Sequence, residues 1–231
     1  MRLKIGVPSK GRLMQSTFGW FEARGLRLSL SGADREYAGR VEGIEDVDLV
    51  LLAASEIPRE LSAGRIHLGV TGLDLVREKL ASGDKAVEAL CAMGFGHADL
   101  VLAVPQAWVD VHVLEDLDAA AAAFRQTHGF RLRIATKYHR LVREFLRDHG
   151  VADYQLVDSQ GATEGTVKNE TAEAIADITS SGDTLRANHL RVLEDGLILR
   201  SEATLFRSHV APVTPKQSEK IDQLYEMLKL D

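Results

Sequence analysis

The sequence predicts an α/β fold, in which β-strands alternate with α-helices along the chain. Three observations carry this prediction. Short apolar runs rich in β-branched residues recur through the 231 residues, and a longer stretch with helical periodicity separates most neighbouring runs. Most of those longer stretches end in glycine, as a helix C-terminus prefers. Strands that alternate with helices indicate a largely parallel sheet.

Seven of the apolar runs are predicted to be strands. They are Leu3–Val7, Asp48–Ala53, Ile66–Val70, Asp99–Val104, Arg131–Ala135, Tyr154–Val157 and Ala174–Ile178. The segment His189–Phe206 predicts further strands late in the chain. The charged, amphipathic pattern of residues 214–231 predicts one terminal helix.

Two lobes suit this order of elements better than one. The stretch GFGHADLVLAVP, which includes Gly94, is typical of a crossover between lobes, and the late strands bring the chain back. We therefore expect residues 1–93 and 187–231 to form one lobe and residues 94–186 to form the other.

Composition restricts the function. The formal charge is −6, so the chain as a whole has no attraction for nucleic acid or an anionic membrane, and an anionic substrate needs a local basic site. Cys91 is the single cysteine, which excludes an internal disulfide. The eight histidines lack the spacing of metal ligands, so no protein-held metal is expected. The N-terminal sequence lacks the apolar core of a signal peptide, so the expected location is cytoplasmic.

Candidate binding loops follow the predicted strands, because open α/β sheets bind ligands at the carboxyl ends of their strands. Lys10, Gly11 and Arg12 follow the first strand. Gly11 permits a tight turn, and the helix dipole disfavours the two flanking cations unless an anion offsets them. The tripeptide forms either a solvated basic turn or a site for nucleotide phosphates.

Two further strand ends carry polar residues. Thr71 and Asp74 flank Gly72, and they either cap a helix or bind a hydroxyl or amine of a substrate. Lys137 suits a phosphate, and Tyr138 suits stacking or hydroxyl donation. A surface helix with a basic first turn explains the second pair equally well.

The stretch DITSSGDTLRANHL, residues 177–190, carries the most specific pattern. Asp177 ends a strand, where a buried acid needs partners or a function. The small residues Thr179, Ser180, Ser181, Gly182 and Thr184 follow. Backbone N–H groups from Ser181 to Thr184 are the unsatisfied donors of the next helix, and they can converge on one phosphate. A hydroxyl-rich N-cap without a ligand is the alternative, which Asp183 favours unless its carboxylate points outward.

In this order, six segments resemble the ATP phosphoribosyltransferase family, enzymes of the first step of histidine biosynthesis. The segments are KIGVPSKGRL, DREY, EIP…GRIHLGVTGLDLV, GFG…DLVLAVP, RIATKY…LVREFL and AEAIADITSSGDTLRANHL. They span nearly the whole chain to about Leu199, and the last is the most telling. The family's G-S-x-E-x-A-P segment reads GATEGTV here, which keeps Gly161 and Glu164.

The resemblance implies a two-lobed fold like the type II periplasmic binding proteins, with the active site between the lobes. It implies catalytic roles for Asp177, Lys10 and Arg12. The residues it implies for phosphoribosyl diphosphate are Asp177, Thr179, Ser180, Ser181, Gly182, Asp183, Thr184, Lys137 and Glu164. The residues it implies for ATP are Lys10, Gly11, Arg12, Arg35, Thr71, Gly72, Asp74 and Tyr138.

The implied reaction joins adenine N1 of ATP to the anomeric carbon of 5-phosphoribosyl 1-diphosphate and releases diphosphate. Mg²⁺, held by the substrate phosphates, would bridge the diphosphate. The chain ends about 20 residues past the last catalytic-type strand, which resembles the short form of the family. That form implies a separate regulatory subunit similar to histidyl-tRNA synthetase, and a homodimer within a hetero-oligomer.

Two other functions fit the same sequence. The same bilobal architecture serves non-catalytic binding modules such as solute receptors and effector domains. A phosphoribosyltransferase for another base is the second alternative, although that common type carries two adjacent acids where this chain has Asp177 followed by Ile178.

Overall fold

The computed structural model describes residues 2–30, 38–80, 85–159 and 161–230. The chain divides into two compact units. The first comprises residues 1–96 and 202–231, and the second comprises residues 97–201. The sequence placed the return to the first lobe at residue 187. In the structure the return comes at Glu202, because the strand before it pairs along its length within the second unit.

The described residues of the first unit form a seven-stranded sheet and four helices. Its strands are β1 (Leu3–Pro8), β2 (Leu28–Leu30), β3 (Ala38–Val41), β4 (Val47–Leu52), β5 (Leu68–Gly72), β6 (Val87–Ala92) and β12 (Ala203–Ser208). Its helices are α1 (Gly11–Glu22), α2 (Ile57–Ser62), α3 (Leu73–Lys79) and α8 (Pro215–Leu228). The strand order is β2-β3-β4-β1-β5-β12-β6; among the described strands, β1 pairs parallel with β4 and with β5, and the other neighbouring pairs are antiparallel.

Both faces of this sheet are covered, which is why β1 is almost continuously apolar. Leu3, Ile5 and Val7 point to one face and pack with Trp20 of α1 and Leu224 of α8. A second cluster joins α2 and α3 to residues of the sheet, including Phe206 of β12. The predicted terminal helix is α8. It begins with a capping box, in which Thr214 accepts the Gln217 N–H and the Gln217 side chain accepts the Thr214 N–H.

In the second unit, the part of the chain that the structure describes forms a five-stranded sheet and four helices. Its strands are β7 (Ala98–Pro105), β8 (Leu132–Thr136), β9 (Tyr154–Asp158), β10 (Ala174–Thr179) and β11 (Leu190–Ser201). Its helices are α4 (Leu114–His128), α5 (His139–Asp148), α6 (Gly165–Lys168) and α7 (Asp183–Ala187). The strand order is β11-β7-β10-β8-β9, in which β10, β8 and β9 run parallel.

All seven predicted strands are present, with boundaries shifted by up to two residues. The prediction of largely parallel sheets was wrong. Both sheets are mixed, because β12 pairs antiparallel with β5 and β6, β3 with β2 and β4, and β7 with β10 and β11. Strand direction depends on which strands pair, and most of these antiparallel partners are distant in sequence, which local periodicity does not report.

Parallel pairing sets the position of the loops. The segments that follow β1, β4 and β5 leave the same edge of the first sheet, and those that follow β8, β9 and β10 leave the same edge of the second. Every predicted loop therefore lies at one of these two edges. Among the described residues, no helix is both long enough and apolar enough to cross a membrane.

Candidate active site

We call the carboxyl ends of β1, β4 and β5 the first edge, and those of β8, β9 and β10 the second edge. At the first edge lies the basic turn between β1 and α1. Lys10 is extended (φ −160°) and Gly11 has a positive φ of 71°, so the chain turns directly into the helix. The first turn of α1 contains no acidic residue. The side chains of Lys10 and Arg12 are exposed, and neither has a hydrogen-bond or ion-pair partner among the described residues. Two unpaired cations at a helix N-terminus are unfavourable without an anion, which favours the phosphate interpretation.

The turn between β5 and α3 is tightly packed instead. Thr71 is fully buried, and its hydroxyl donates to the carbonyl of Ala54 over 2.8 Å. Asp74 is only 5% exposed, and its Oδ1 lies 2.3 Å from the point where a Cβ on Gly72 would stand. The close approach of Asp74 therefore favours glycine at this position. Thr71 supports the turn through Ala54 and does not cap α3, whose N-cap is Gly72, whereas Asp74 lies in the first turn of the helix, as the structural alternative expected.

The second edge carries the hydroxyl-rich loop after β10. Gly182 has a φ of 73°, a left-handed conformation that favours glycine, and α7 begins at the next residue. The Gly182 N–H donates to Thr179 Oγ1 over 2.8 Å. Ser180 donates its hydroxyl hydrogen to the carbonyl of His97 over 2.9 Å. The loop is thus closed on itself by Thr179 and tied to the start of the second unit by Ser180.

Asp183 is engaged inside this loop. Its carboxylate accepts the Ser181 hydroxyl at 2.6 Å and one Arg186 N–H at 2.5 Å. Arg186 also donates to the Ser181 carbonyl over 3.0 Å. The hydrogen bond from Ser181, followed by the bond and the charge of Arg186, lowers the pKa of the Asp183 carboxyl below its ordinary value. The carboxylate is therefore charged and compensated, and the Ser181 hydroxyl, expected to bind phosphate, is already donated to it.

Asp177 and Thr184 complete the predicted phosphate loop. Asp177 is half-buried rather than buried, and its Oδ1 accepts the N–H of Ile178 over 2.8 Å. No hydrogen bond reaches its Oδ2 from the described residues. Thr184 is exposed in the first turn of α7. One carboxylate oxygen at the strand end is therefore available to a ligand.

Lys137, Tyr138 and Glu164 lie on the second unit, around the ends of β8 and β9. The Lys137 Nζ donates to the carbonyl of Gly161 over 2.5 Å. Tyr138 is only 6% exposed, and its N–H donates to Thr136 Oγ1, so little of its ring is open for stacking on a base. Glu164 is half-buried just before α6.

Two features of the site escaped sequence reasoning. Arg186 compensates the acid of the loop, and its spacing of three residues from Asp183 on a helix was a usable signal. Ser159 and Thr163 are buried and share a hydrogen bond of 2.9 Å that pins the segment containing Gly161. No local sequence pattern indicates the hydrogen bond between Ser159 and Thr163.

One predicted ATP ligand, Arg35, lies outside the described residues. Within the described ranges, no group of three or more His, Cys, Asp and Glu side chains is arranged to hold a metal ion.

Two mixed α/β units define the class of protein. In the first unit, exposed cations follow strand β1, and in the second unit a hydroxyl-rich turn follows strand β10. These features suit an enzyme that handles phosphorylated small molecules. The chain matches the HisG family, ATP phosphoribosyltransferase, over residues 53–230. The ATP phosphoribosyltransferase of Cereibacter sphaeroides is 71% identical over 211 residues, which is 91% of this chain and 89% of that protein. The chain belongs to the ATP phosphoribosyltransferase family.

Solved structures show the same fold. The ATP phosphoribosyl transferase (HisG:HisZ) complex from Thermotoga maritima matches with a TM-score of 0.74 at 20% identity, over 98% of this chain and 96% of that chain. A histidine kinase sensor domain with similarity to periplasmic binding proteins matches with a TM-score of 0.53 at 13% identity, over 99% of this chain and 89% of that one. The predicted family, the α/β fold of periplasmic-binding type and the pentosyltransferase activity in the first step of histidine biosynthesis are confirmed.

Proposed function

We propose that the loops at the two sheet edges divide the work of phosphoribosyl transfer. Loops of the second unit hold phosphoribosyl diphosphate, and loops of the first unit hold the phosphates of ATP. The observation that carries the proposal is the loop of residues 177–184, where a strand-end carboxylate precedes a turn closed around Gly182. Asp177 would hold the ribose hydroxyls, and the backbone N–H groups and the Thr184 hydroxyl would hold the 5-phosphate.

The chemistry needs little from the protein beyond positioning and charge. The lone pair of adenine N1 forms the new bond to the anomeric carbon, while the bond to the diphosphate oxygen breaks and diphosphate leaves. The ribose acquires oxocarbenium character, which a carboxylate beside the ring stabilises. The unpaired oxygen of Asp177, which has no partner among the described residues, supports this role.

Lys10 and Arg12 would meet the polyanionic groups, namely the leaving diphosphate and the triphosphate of ATP. Both are exposed and unpaired within the described part of the chain, so ligand binding breaks no existing ion pair. Arg12 can engage a phosphate through two N–H groups at once. Gly11, which has open space at its Cβ position, would allow the backbone to approach the nucleotide, and Thr71 and Asp74 would support the second turn, at Gly72.

Mg²⁺ fits this arrangement as an ion carried by the substrate. It commonly binds through one or two carboxylates together with substrate phosphates, rather than in an all-protein cage. Asp177 and Glu164 are the carboxylates of the second edge with oxygens to offer, since Asp183 is engaged by Arg186. The ion would neutralise charge on the departing diphosphate.

We propose a cytoplasmic enzyme that works with a regulatory subunit similar to histidyl-tRNA synthetase, as a homodimer within a hetero-oligomer. The solved Thermotoga maritima relative is named as a complex of HisG with HisZ, which supports a two-component assembly here. Co-purification of the tagged chain from its native cell tests this part. Recovery of the chain alone, with full activity and no response to histidine, would count against it.

Asp177→Ala and Gly182→Val test the proposed site, with formation of the N1-phosphoribosyl adduct measured in the presence of the partner subunit. Loss of an electrostatic contact to the transition state costs about 100-fold in turnover. Gly150→Val is the matched control, because Gly150 has nearly the same φ (74°) in the same unit, at the end of α5. Asp148→Ala controls for loss of an acid. Near-normal turnover in both site variants would refute the assignment.

A further inference from the structure

The polypeptide passes between the two units twice. We call residues 93–97 and 201–203 the crossover segments, since the unit boundaries follow Gly96 and precede Glu202. Within the first unit the two segments are hydrogen-bonded to each other. The Met93 N–H donates to the Ala203 carbonyl, and the Ala203 N–H donates to the Phe95 carbonyl, each over 2.9 Å.

Glu202 stands at the centre of this pairing. Its carboxylate Oε2 accepts the N–H of Gly94 over 2.8 Å, across 108 positions of sequence. A hydrogen bond to an ionised acceptor is stronger than one between neutral groups, and Glu202 is half-buried. The side chain therefore sets the distance between the outgoing and the returning segment.

The backbone of Glu202 also reaches the first edge of the site. Its carbonyl accepts the N–H of Leu73 over 3.1 Å. Leu73 is the first residue of α3 and directly follows Gly72, so this N–H is one that the helix itself cannot satisfy. One residue thus joins the outgoing crossover segment to the turn that contains Gly72 and Asp74.

The outgoing segment touches the other proposed loops as well. A Cβ on Gly96 would stand 3.1 Å from Leu13 Cδ1, so the segment packs against α1 one residue after Arg12. In the second unit, the carbonyl of His97 accepts the Ser180 hydroxyl of the phosphate loop. The proposed substrate loops at Gly11, Gly72 and Gly182 are therefore each in contact with a crossover segment.

We propose that Glu202 is a positioning residue for the reaction, acting through Gly94 and Leu73 to hold the turn at Gly72 in register with the crossover segments. This inference rests on the proposed assignment of that turn to ATP. Glu202 touches no substrate in the proposal. What matters is the reach of its side chain to the Gly94 N–H, rather than its charge.

Two conservative variants separate reach from charge. Glu202→Gln keeps the length and an acceptor oxygen but removes the charge, whereas Glu202→Asp keeps the charge but is one methylene too short to reach Gly94. We expect Glu202→Gln to retain kcat/KM for ATP within about threefold and Glu202→Asp to lose about tenfold or more, as for a lost hydrogen bond to a charged acceptor. The KM for phosphoribosyl diphosphate is expected to stay within about twofold, because the proposed ligands of its ribose and 5-phosphate lie in the second unit.

Asp116→Ala serves as the matched control for folding. Asp116 also accepts a backbone N–H at 2.8 Å, from His112, and lies away from the crossover segments at the start of α4. Thermal unfolding is measured for all variants. Full activity of Glu202→Asp would overturn the proposal. Equal loss of kcat/KM in Glu202→Gln and Glu202→Asp would also overturn it. A third contrary result is a parallel rise of the KM values for ATP and for phosphoribosyl diphosphate, together with an unfolding midpoint below that of Asp116→Ala.

Failure of this inference differs from failure of the site assignment. If Asp177→Ala and Gly182→Val retain turnover, the proposed site is wrong. If they lose turnover while Glu202→Asp retains it, the site stands and only the role of Glu202 is refuted.

Discussion

Substituting Gly72 with alanine tests whether the turn between β5 and α3 is closed by Asp74. The backbone of Gly72 (φ −69°, ψ 140°) suits any residue, so the substitution brings no conformational strain. The added Cβ would lie 2.3 Å from Asp74 Oδ1, where real Cβ contacts stay above 3.0 Å. The carboxylate must therefore move by at least 3.0 − 2.3 = 0.7 Å.

Asp74 has little room for that movement, because it is only 5% exposed. Overpacking of a buried site costs about 1–3 kcal/mol, so we expect Gly72→Ala to lower the free energy of unfolding by that amount. In an Asp74→Ala background the obstructing oxygen is absent. The same glycine substitution should then cost at least about 1 kcal/mol less, which a double-mutant cycle measures as a coupling energy.

Urea unfolding followed by tryptophan fluorescence measures these differences in the first unit alone. The chain has two tryptophans, and a Trp108→Phe background leaves Trp20, which is buried between α1 and the first sheet. Gly19→Ala is the control, since Gly19 lies in α1 with open space around its Cβ position. We expect it to stabilise by about 0.5–1 kcal/mol. Equal costs of Gly72→Ala with and without Asp74 would refute the packing argument.

Three further predictions concern ionisable groups. His67 is 4% exposed and accepts the Lys4 N–H at Nδ1, and burial lowers its pKa below the ordinary value of about 6.5. The free energy of unfolding should therefore be highest above that pH and should fall as the pH drops below it. Urea unfolding between pH 5 and 8 should show a flatter pH profile for a His67→Gln variant. Arg186→Met should raise the KM for phosphoribosyl diphosphate by up to about tenfold, because it leaves the Asp183 charge uncompensated beside the proposed 5-phosphate site. Adding Asp183→Asn to the same chain should reverse most of that rise. An unchanged KM in the single variant would contradict the compensating role of Arg186. Burial raises the pKa of the Cys91 thiol, so alkylation by iodoacetamide at pH 8 should be slow in the native protein and fast in urea, and equal rates would disprove its protection.

Sequence reasoning identified the strands that carry most of the core, and it missed β2, β3 and β6 at the two sides of the first sheet. Buried parallel strands such as β1 and β10 show as continuous apolar runs, which have few other interpretations. The edge strand β6 mixes Glu88 with half-buried apolar residues. It is held by its register with β12, more than a hundred residues later in the chain. A pairing of that range leaves no local pattern.

The candidate loops were predictable for a similar reason, whereas the partners of their side chains were not. A strand end followed by a helix start is visible in the sequence, so the turns at Gly11, Gly72 and Gly182 were found. The burial of Tyr138 and the bond of Lys137 to Gly161 depend on packing at the ends of neighbouring strands. Glu202 showed no signal at all, since its partners Gly94 and Leu73 are distant in sequence.

The distribution of charge at the two edges explains how a chain with a formal charge of −6 can act on two polyanionic substrates. The first edge presents Lys10 and Arg12 without partners in the described part of the chain, and these suit the triphosphate and the departing diphosphate. In the second unit, residues 179–184 present hydroxyls and backbone donors, and the charge of Asp183, the acid of this turn, is compensated by Arg186. In the proposed assignment, the 5-phosphate binds this uncharged turn, while the cations meet the groups whose charge changes or departs. Placing cations in the second loop instead would strengthen binding of the substrate and the product alike. Such uniform binding lowers KM without raising turnover, so the proposed division would put the electrostatic stabilisation where charge develops in the transition state.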